Sequence, residues 1–166
     1  RSRPFFLSLQ FDAPHWPFQN PRLPSVARNN AAFLQPYSPD TNSRQDYVAI
    51  IENLDAGVAR VLKALDDAGL RENTLVIFTN DNGGEWLSDN GTLFNRKGSI
   101  WEGGLRVRAI FRWPARIPAG RVSAQVGITM DVTATILAAT GTTVPAETRL
   151  EGVNLMPVLE GKSSEF

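Results

Sequence analysis

Four polar side chains have the types and positions that chemistry on an anionic substrate requires. Asp81 and Asn82 follow a short apolar run and offer a carboxylate and an amide oxygen, the hard ligands that calcium or magnesium takes. His15 is the only histidine in the chain, and histidine is the side chain that most readily exchanges a proton near neutral pH. Lys97 supplies a compact positive charge suited to an oxyanion. Together these residues predict a site where a cation and an anion meet.

Each of these residues also has a purely structural interpretation. The run Asn80–Gly84 has the composition of an ordinary turn. His15 lies beside Pro14 in a loop, and a lysine such as Lys97 is most often a solvated surface residue. Taken singly, these residues leave the two interpretations open.

A second cluster of charge follows Lys97. Glu102 and Arg106 flank Gly103 and Gly104, two glycines that would allow one backbone to approach another closely. Glu102 has the chemistry to orient a base or a lysine, but we favour a salt bridge between Glu102 and Arg106 that ties the loop to the sheet.

The composition excludes several functions. The 166 residues include 17 Lys and Arg and 17 Asp and Glu, so no net field draws the chain to nucleic acid or to anionic lipid. The absence of cysteine excludes disulfides, zinc–thiolate sites and thiol nucleophiles. No stretch approaches the roughly 18 apolar residues of a membrane span. Composition leaves the compartment and the oligomeric state open.

The hydrophobic patterns predict an α/β order of elements around these residues. Strands are predicted at 5–11, 74–79 and 107–113, and helices at 43–69 and 131–139. Such an order is typical of helices packed on a mainly parallel sheet. Ligands of open α/β sheets bind beyond the carboxyl ends of the strands, which is where the polar clusters lie.

Local signals support the predicted long helix and predict a proline-rich loop before it. Ser43 and Asp46 form a capping signature at the start of the helix, and Gly69 is suited to its left-handed end. Residues 14–42 contain so many prolines that no long helix is expected there. A loop of that length is usually functional or ordered by other parts of the protein.

The order of four segments resembles the sulfatase family of the alkaline-phosphatase-like superfamily. The resemblance covers nearly the whole chain, and its four segments are Pro4–Pro17, Tyr47–Leu65, Asn73–Gly84 and Lys97–Val107. It implies an α/β fold that forms part of an alkaline-phosphatase-like α/β/α sandwich with a mainly parallel central sheet. It also implies that residues 1–166 are one partial catalytic domain, the carboxy-terminal portion.

The resemblance implies roles for the four polar residues. Asp81 and Asn82 are expected to be two ligands of a calcium ion, and Asp81 also to help activate the nucleophile. His15 and Lys97 are expected to bind the sulfate group, with His15 donating a proton to the departing alcohol. The implied function is the hydrolysis of a sulfate monoester.

The nucleophile that the resemblance implies is not encoded in these residues. The family uses a formylglycine made from Cys or Ser in a C/S-x-P-x-R motif, and the sequence contains no such motif. We therefore expect an amino-terminal part that carries the nucleophile and the remaining metal ligands. Without it, this chain should bind calcium poorly, should not turn over sulfate esters, and should need that part or self-association to cover its sheet.

Two other functions are consistent with the sequence. One is a phosphate or phosphonate monoester hydrolase of the same superfamily, although a single histidine disfavours a two-zinc site. The other is a non-catalytic module that keeps the sheet without the chemistry. The family is mostly exported or lysosomal, but the sequence itself names neither the compartment nor the natural ester.

Overall fold

The computed structural model describes residues 3–15, 18 and 43–165. The chain divides into two compact units, and each is described separately below. The first comprises Arg1–Asp67 and Asn80–Arg108, and the second comprises Ala68–Thr79 and Ala109–Phe166. Apart from Pro14, His15 and Phe18, the proline-rich segment 14–42 lies outside the described residues.

The longest element of the first unit is helix α1, Arg44–Asp67, and it confirms the helix predicted at 43–69. Ser43 caps it reciprocally: its hydroxyl accepts the N–H of Asp46 at 3.2 Å, and its own N–H donates to Asp46 Oδ2 at 3.0 Å. Gly69, two residues beyond the helix, has the left-handed φ of 66° that favours glycine.

The core of the first unit lies on one face of α1. Phe18, Tyr47 and Ile50 are buried together, and the rings of Phe18 and Tyr47 meet edge to face with centroids 5.3 Å apart. Trp86 and Leu87, from the loop at 80–101, pack against the same cluster. Helix α1 and this loop are therefore held together by shared apolar burial.

The same loop ends in helix α2, Glu102–Leu105, which the sequence did not predict. It is a single turn inside the segment 83–104 that glycine, asparagine and aspartate content predicted to be loop. Its two glycines, Gly103 and Gly104, are buried.

The second unit contains a two-stranded sheet, β1 at Val76–Phe78 and β2 at Ile110–Arg112. Both strands fall inside predicted strands, but they pair antiparallel, with Ile77 opposite Phe111. The two described strands thus form an antiparallel pair within a fold for which the sequence predicted a mainly parallel central sheet. Parallel neighbours usually require a crossover helix, and the described connection from β1 to β2 contains only the single turn α2.

Two helices complete the second unit. Helix α3, Thr129–Thr140, confirms the helix predicted at 131–139 and stops at Gly141, whose φ is 66°. Helix α4, Met156–Leu159, was not predicted. The hydroxyl of buried Thr135 accepts the N–H of Leu155 at 2.9 Å, which ties the segment before α4 to α3.

The segment Phe5–Phe11, predicted to be a core strand, is not a strand among the described residues. Phe6 is 76% exposed and Leu7 is 63% exposed. An apolar run becomes a buried strand only when neighbouring strands bond its backbone, and the described strands pair only with each other.

In the described part of the chain, no helix has both the length and the apolar character needed to cross a bilayer.

Candidate functional site

The turn that follows β1 in the chain carries Asp81 and Asn82 side by side. Asp81 is exposed, and its Oδ1 accepts the backbone N–H of Asn82 at 3.0 Å. The side-chain nitrogen of Asn82 donates to the same oxygen at 3.2 Å and to the carbonyl of Gly83 at 3.3 Å. Within the described residues, Asp81 Oδ2 accepts no hydrogen bond, so one carboxylate oxygen remains available to a ligand.

These two residues fit part of a calcium shell. A carboxylate and an amide supply the oxygen donors that calcium prefers, but calcium takes about six to eight of them. The amide nitrogen of Asn82 now faces Asp81, so a cation held by both residues would require the amide to turn. Among the described residues, no group of three or more His, Cys, Asp or Glu is arranged to hold a metal ion. Further ligands would have to come from other residues.

Glycine packing fixes the position of this turn. The N–H of Gly83 donates to the carbonyl of Gly104 at 2.8 Å, and the N–H of Gly103 donates to the carbonyl of Phe94 at 2.8 Å. A Cβ on Gly83 would lie 1.9 Å from the Gly103 carbonyl oxygen, and one on Gly103 would lie 2.1 Å from that of Asn95. The close backbone approach predicted for the paired glycines is confirmed.

Lys97 is held beside this turn by its own backbone. Its N–H donates to the carbonyl of Gly84 at 2.9 Å, two residues after Asn82. Its ammonium nitrogen lies 3.7 Å from Glu85 Oε2, and its side chain is 25% exposed. Lys97 is therefore a partly buried, paired lysine, which differs from the solvated surface lysine that composition alone favours.

Glu85 is the functional candidate that sequence reasoning missed. It is 8% exposed, and its Oε1 accepts the N–H of Trp86 at 3.1 Å. Its backbone carbonyl accepts the N–H of Ser88 at 2.8 Å. Its partner lies twelve positions further along a loop without periodicity, so no spacing rule joins them. The sequence signal that could have found Glu85 is a carboxylate directly before the apolar pair Trp86–Leu87, because a charge that is buried with apolar neighbours needs a partner.

The charge of Glu85 also acts on the core beneath the loop. The pKa of Tyr47 is raised above its usual value, first by burial and then by the negative charge of Glu85, while Arg44 opposes the shift. Arg44 additionally donates from Nη1 to the carbonyl of Leu87 at 2.8 Å. The first turn of α1 therefore contacts the same loop that carries Glu85.

His15 is connected to the loop less directly. Its backbone N–H donates to the carbonyl of Asp12 at 2.6 Å, and the residue is exposed. Ala13, two residues earlier, packs against the buried cluster that Trp86 and Leu87 also cover. Asp81, Asn82 and Lys97 are thus joined through the backbone of one loop, whereas the segment that carries His15 reaches that loop through the packing of Ala13 against the shared apolar cluster.

Glu102 and Arg106 form the predicted salt bridge, but it is local. Arg106 Nη1 lies 3.1 Å from Glu102 Oε2, with both side chains at least 60% exposed. The pair spans one turn of α2 instead of tying the loop to the sheet. Exposed pairs of this kind contribute little to stability.

Comparisons with known proteins agree on the sulfatase family. The family model for sulfatases matches residues 1–142. The chain is 37% identical over 165 residues to N-acetylgalactosamine-6-sulfatase of Canis lupus familiaris, covering 96% of this chain and 29% of that protein. It is 36% identical over 171 residues to steryl-sulfatase of Mus musculus, covering 97% of this chain and 25% of that protein. The chain therefore spans less than a third of the length of these relatives.

Solved structures agree with the sequence relatives. The crystal structure of Ps i-CgsB in complex with k-i-k-neocarrahexaose matches with a TM-score of 0.78 and 31% identity, over 95% of this chain and 34% of that one. The PsFucS1 sulfatase from Pseudoalteromonas sp. matches with a TM-score of 0.60 and 29% identity, over 69% of this chain and 24% of that one.

Proposed function

Because the chain belongs to the sulfatase family, whose fold is of the alkaline-phosphatase type, we propose that the whole protein hydrolyses sulfate monoesters. Cleavage of the ester gives an alcohol and inorganic sulfate. Residues 1–166 would form part of the catalytic domain. They contribute groups that bind the anion and supply a proton, while the nucleophile lies in another segment.

The observation that carries this proposal is the position of Lys97 beside the Asp81–Asn82 turn. The Gly84 carbonyl bonds the Lys97 N–H at 2.9 Å, so the positive charge and the cation ligands belong to one loop. Among the described residues the Lys97 ammonium makes no hydrogen bond, and its three N–H donors are available to sulfate oxygens. A fixed positive charge at a partly buried position stabilises an anion more strongly than one in bulk water.

Asp81 and Asn82 would hold a calcium ion through side-chain oxygens. A bound cation there supplies charge that neutralises sulfate oxygens. Asp81 contributes its carboxylate, whose Oδ2 accepts no hydrogen bond from the described residues, and Asn82 contributes its amide oxygen after the amide turns. Asp81 would also help to activate the nucleophile. Other segments of the protein must supply the remaining ligands.

The nucleophile would be a formylglycine from a C/S-x-P-x-R motif outside these 166 residues, because the chain has no cysteine and no serine version of the motif. His15 would contact the sulfate and donate a proton to the leaving oxygen. That oxygen gains negative charge as the S–O bond breaks, so a positioned proton donor lowers the barrier. The exposed position of His15 allows it to exchange its proton with solvent.

Matched substrates test this function. The full-length protein should hydrolyse an aryl sulfate at a higher kcat/KM than the aryl phosphate with the same leaving group. Lys97→Ala should lower kcat/KM for the sulfate by about 100-fold, because an anion-binding charge is lost from a partly buried site. Lys63→Ala is the matched control, since Lys63 forms an exposed pair with Asp67 within α1. A preference for phosphate would instead identify a phosphate monoester hydrolase, and no turnover of either a non-catalytic module.

A further inference from the structure

We propose that Glu85 is a positioning residue that holds the Lys97 ammonium in place for the sulfate group of the substrate. This inference rests on the proposed role of Lys97 in binding sulfate. Glu85 would act through Lys97 and would not itself touch the substrate. The relationship depends on one ion pair and on how each of its partners is anchored.

Glu85 is anchored both at its side chain and at its backbone. Its Oε1 accepts the Trp86 N–H at 3.1 Å, which leaves Oε2 facing Lys97 at 3.7 Å. Its backbone carbonyl accepts both the N–H of Ser88 at 2.8 Å and the Ser88 hydroxyl at 2.6 Å. With the side chain of Glu85 only 9% exposed, few other orientations are open to it.

A hydrogen bond holds the backbone of Lys97, and the charge of Glu85 restrains its ammonium. The hydrogen bond from its N–H to the Gly84 carbonyl sets the residue next to Glu85 in space. A lysine side chain has four rotatable bonds, so its ammonium would otherwise sample a wide volume. The negative charge of Glu85 confines it before any ligand arrives, and such preorganisation lowers the cost of binding.

The length of this ion pair matters for its role. A separation of 3.7 Å exceeds hydrogen-bond distance, so Glu85 attracts the ammonium without taking one of its donors. A directly bonded carboxylate would occupy one of the three N–H groups that a sulfate needs. Glu85 therefore orients the ammonium without competing with the sulfate for its N–H donors.

A purely structural role explains the buried carboxylate less well. Ion pairs withdrawn from water are weak sources of stability, because the loss of hydration offsets the attraction between the charges. An apolar or amide side chain would fill the same space beside Trp86 at lower cost. The negative charge at this position is explained by its effect on the position of the Lys97 ammonium.

The first test is a charge-only substitution in the full-length enzyme. Glu85→Gln retains the shape of the side chain and an oxygen for the Trp86 N–H, but removes the charge. We expect KM for an aryl sulfate to rise about 10-fold, the loss typical of a residue that orients a functional group, with a smaller change in kcat. Glu102→Gln is the matched control, because Glu102 forms an exposed bridge with Arg106. An unchanged KM in Glu85→Gln would overturn the proposal.

A double-mutant cycle separates positioning from a structural effect. If Glu85 acts through Lys97, then Lys97→Ala and the double variant Glu85→Gln/Lys97→Ala should have equal kcat/KM. A further 10-fold loss in the double variant would mean that Glu85 acts elsewhere. If Lys97→Ala is fully active, both the assigned role of Lys97 and this inference fail. If Lys97→Ala is inactive and Glu85→Gln is normal, only the inference fails.

An amine-labelling experiment tests the contact without turnover. The rate at which an amine-reactive reagent modifies Lys97, read by mass spectrometry, should rise several-fold in Glu85→Gln, while Lys63 labelling stays constant. Inorganic sulfate should protect Lys97 in the wild type and protect it less in the variant. Equal Lys97 labelling in both proteins, or equal protection by sulfate, would overturn the proposal even in a preparation that lacks activity.

Discussion

The N–H of Gly83 donates a 2.8 Å hydrogen bond to the carbonyl oxygen of Gly104, so the turn carrying Asp81 and Asn82 lies directly against helix α2. Position 83 requires glycine, because a Cβ there would come within 1.9 Å of the Gly103 carbonyl oxygen. The position of the proposed cation ligands is therefore set by backbone packing between two glycine pairs.

Gly83→Ala should impair both stability and activity. A backbone carbonyl cannot withdraw as a flexible side chain can, so we expect a loss of about 1–3 kcal/mol in the free energy of unfolding. Displacement of Asp81, two residues earlier, by about 1 Å should lower kcat/KM by roughly 100-fold. Denaturant titration and aryl sulfate kinetics measure the two effects. Gly127→Ala is the control, because a Cβ there meets its nearest atoms at 3.5 Å.

Asp81→Ala should weaken calcium binding by the full-length protein. Removal of a carboxylate ligand leaves a hard cation with one fewer charged oxygen, so we expect the calcium Kd to rise about 100-fold. Calorimetric titration of the chelator-treated protein gives this value. Asp89→Ala is the control, since Asp89 is an exposed carboxylate of the same loop that accepts the Gly91 N–H. Equal affinities in the wild type and Asp81→Ala would remove Asp81 from the metal site.

His15→Ala should affect substrates according to their leaving groups. A proton donor helps most when the departing alcohol is a poor leaving group, because that oxygen gains the most charge. We expect losses of about 100- to 1,000-fold in kcat for an alkyl sulfate, and less than 10-fold for a nitrophenyl sulfate. The slope of log kcat against leaving-group acidity should steepen in the variant. An unchanged slope would assign His15 a role other than proton donation.

Ser43→Ala should destabilise the start of α1. The Ser43 hydroxyl donates to Asp46 Oδ2 at 2.7 Å and accepts the Asp46 N–H, so its loss removes both of these capping hydrogen bonds. The expected cost is about 1 kcal/mol in the free energy of unfolding. Ser43→Thr retains the hydroxyl and should remain within a few tenths of a kcal/mol of the wild type. Similar losses in both variants would contradict the capping role.

Glu160 should make stability depend on pH on the acid side. A hydrogen bond from Lys162 and the nearby Arg116 guanidinium hold the pKa of Glu160 below its ordinary value of 4.5. Since the folded state favours the charged form, this stabilisation is present above the ordinary pKa and is lost as pH falls through the lowered one. Between neutral and acidic pH, the Tm of Glu160→Gln should therefore fall less than the Tm of the wild type. Parallel profiles for the wild type and Glu160→Gln would contradict this.

Sequence reasoning succeeded where a local pattern determines the structure. Ser43 and Asp46 predicted the start of α1, and Gly69 predicted a left-handed residue just beyond its end, because caps depend on residues within one turn. The paired glycines predicted the close approach of two backbones. The order of the motifs led to the sulfatase family, which the family model and the relatives confirm.

Sequence reasoning failed where the outcome depends on partners distant in the chain. Phe5–Phe11 has the pattern of a core strand, but a strand exists only through hydrogen bonds to neighbours that local pattern cannot supply. The antiparallel pairing of β1 with β2 was missed for the same reason.

From its own residues, the chain determined the start of α1, its glycine turns and the order of motifs that marks its family, because these signals lie in short stretches of sequence. Only the tertiary structure revealed that buried Glu85 faces Lys97 across a loop. The physical reason is that an ion pair between residues twelve positions apart depends on how the intervening backbone folds back, and no periodic pattern encodes that path.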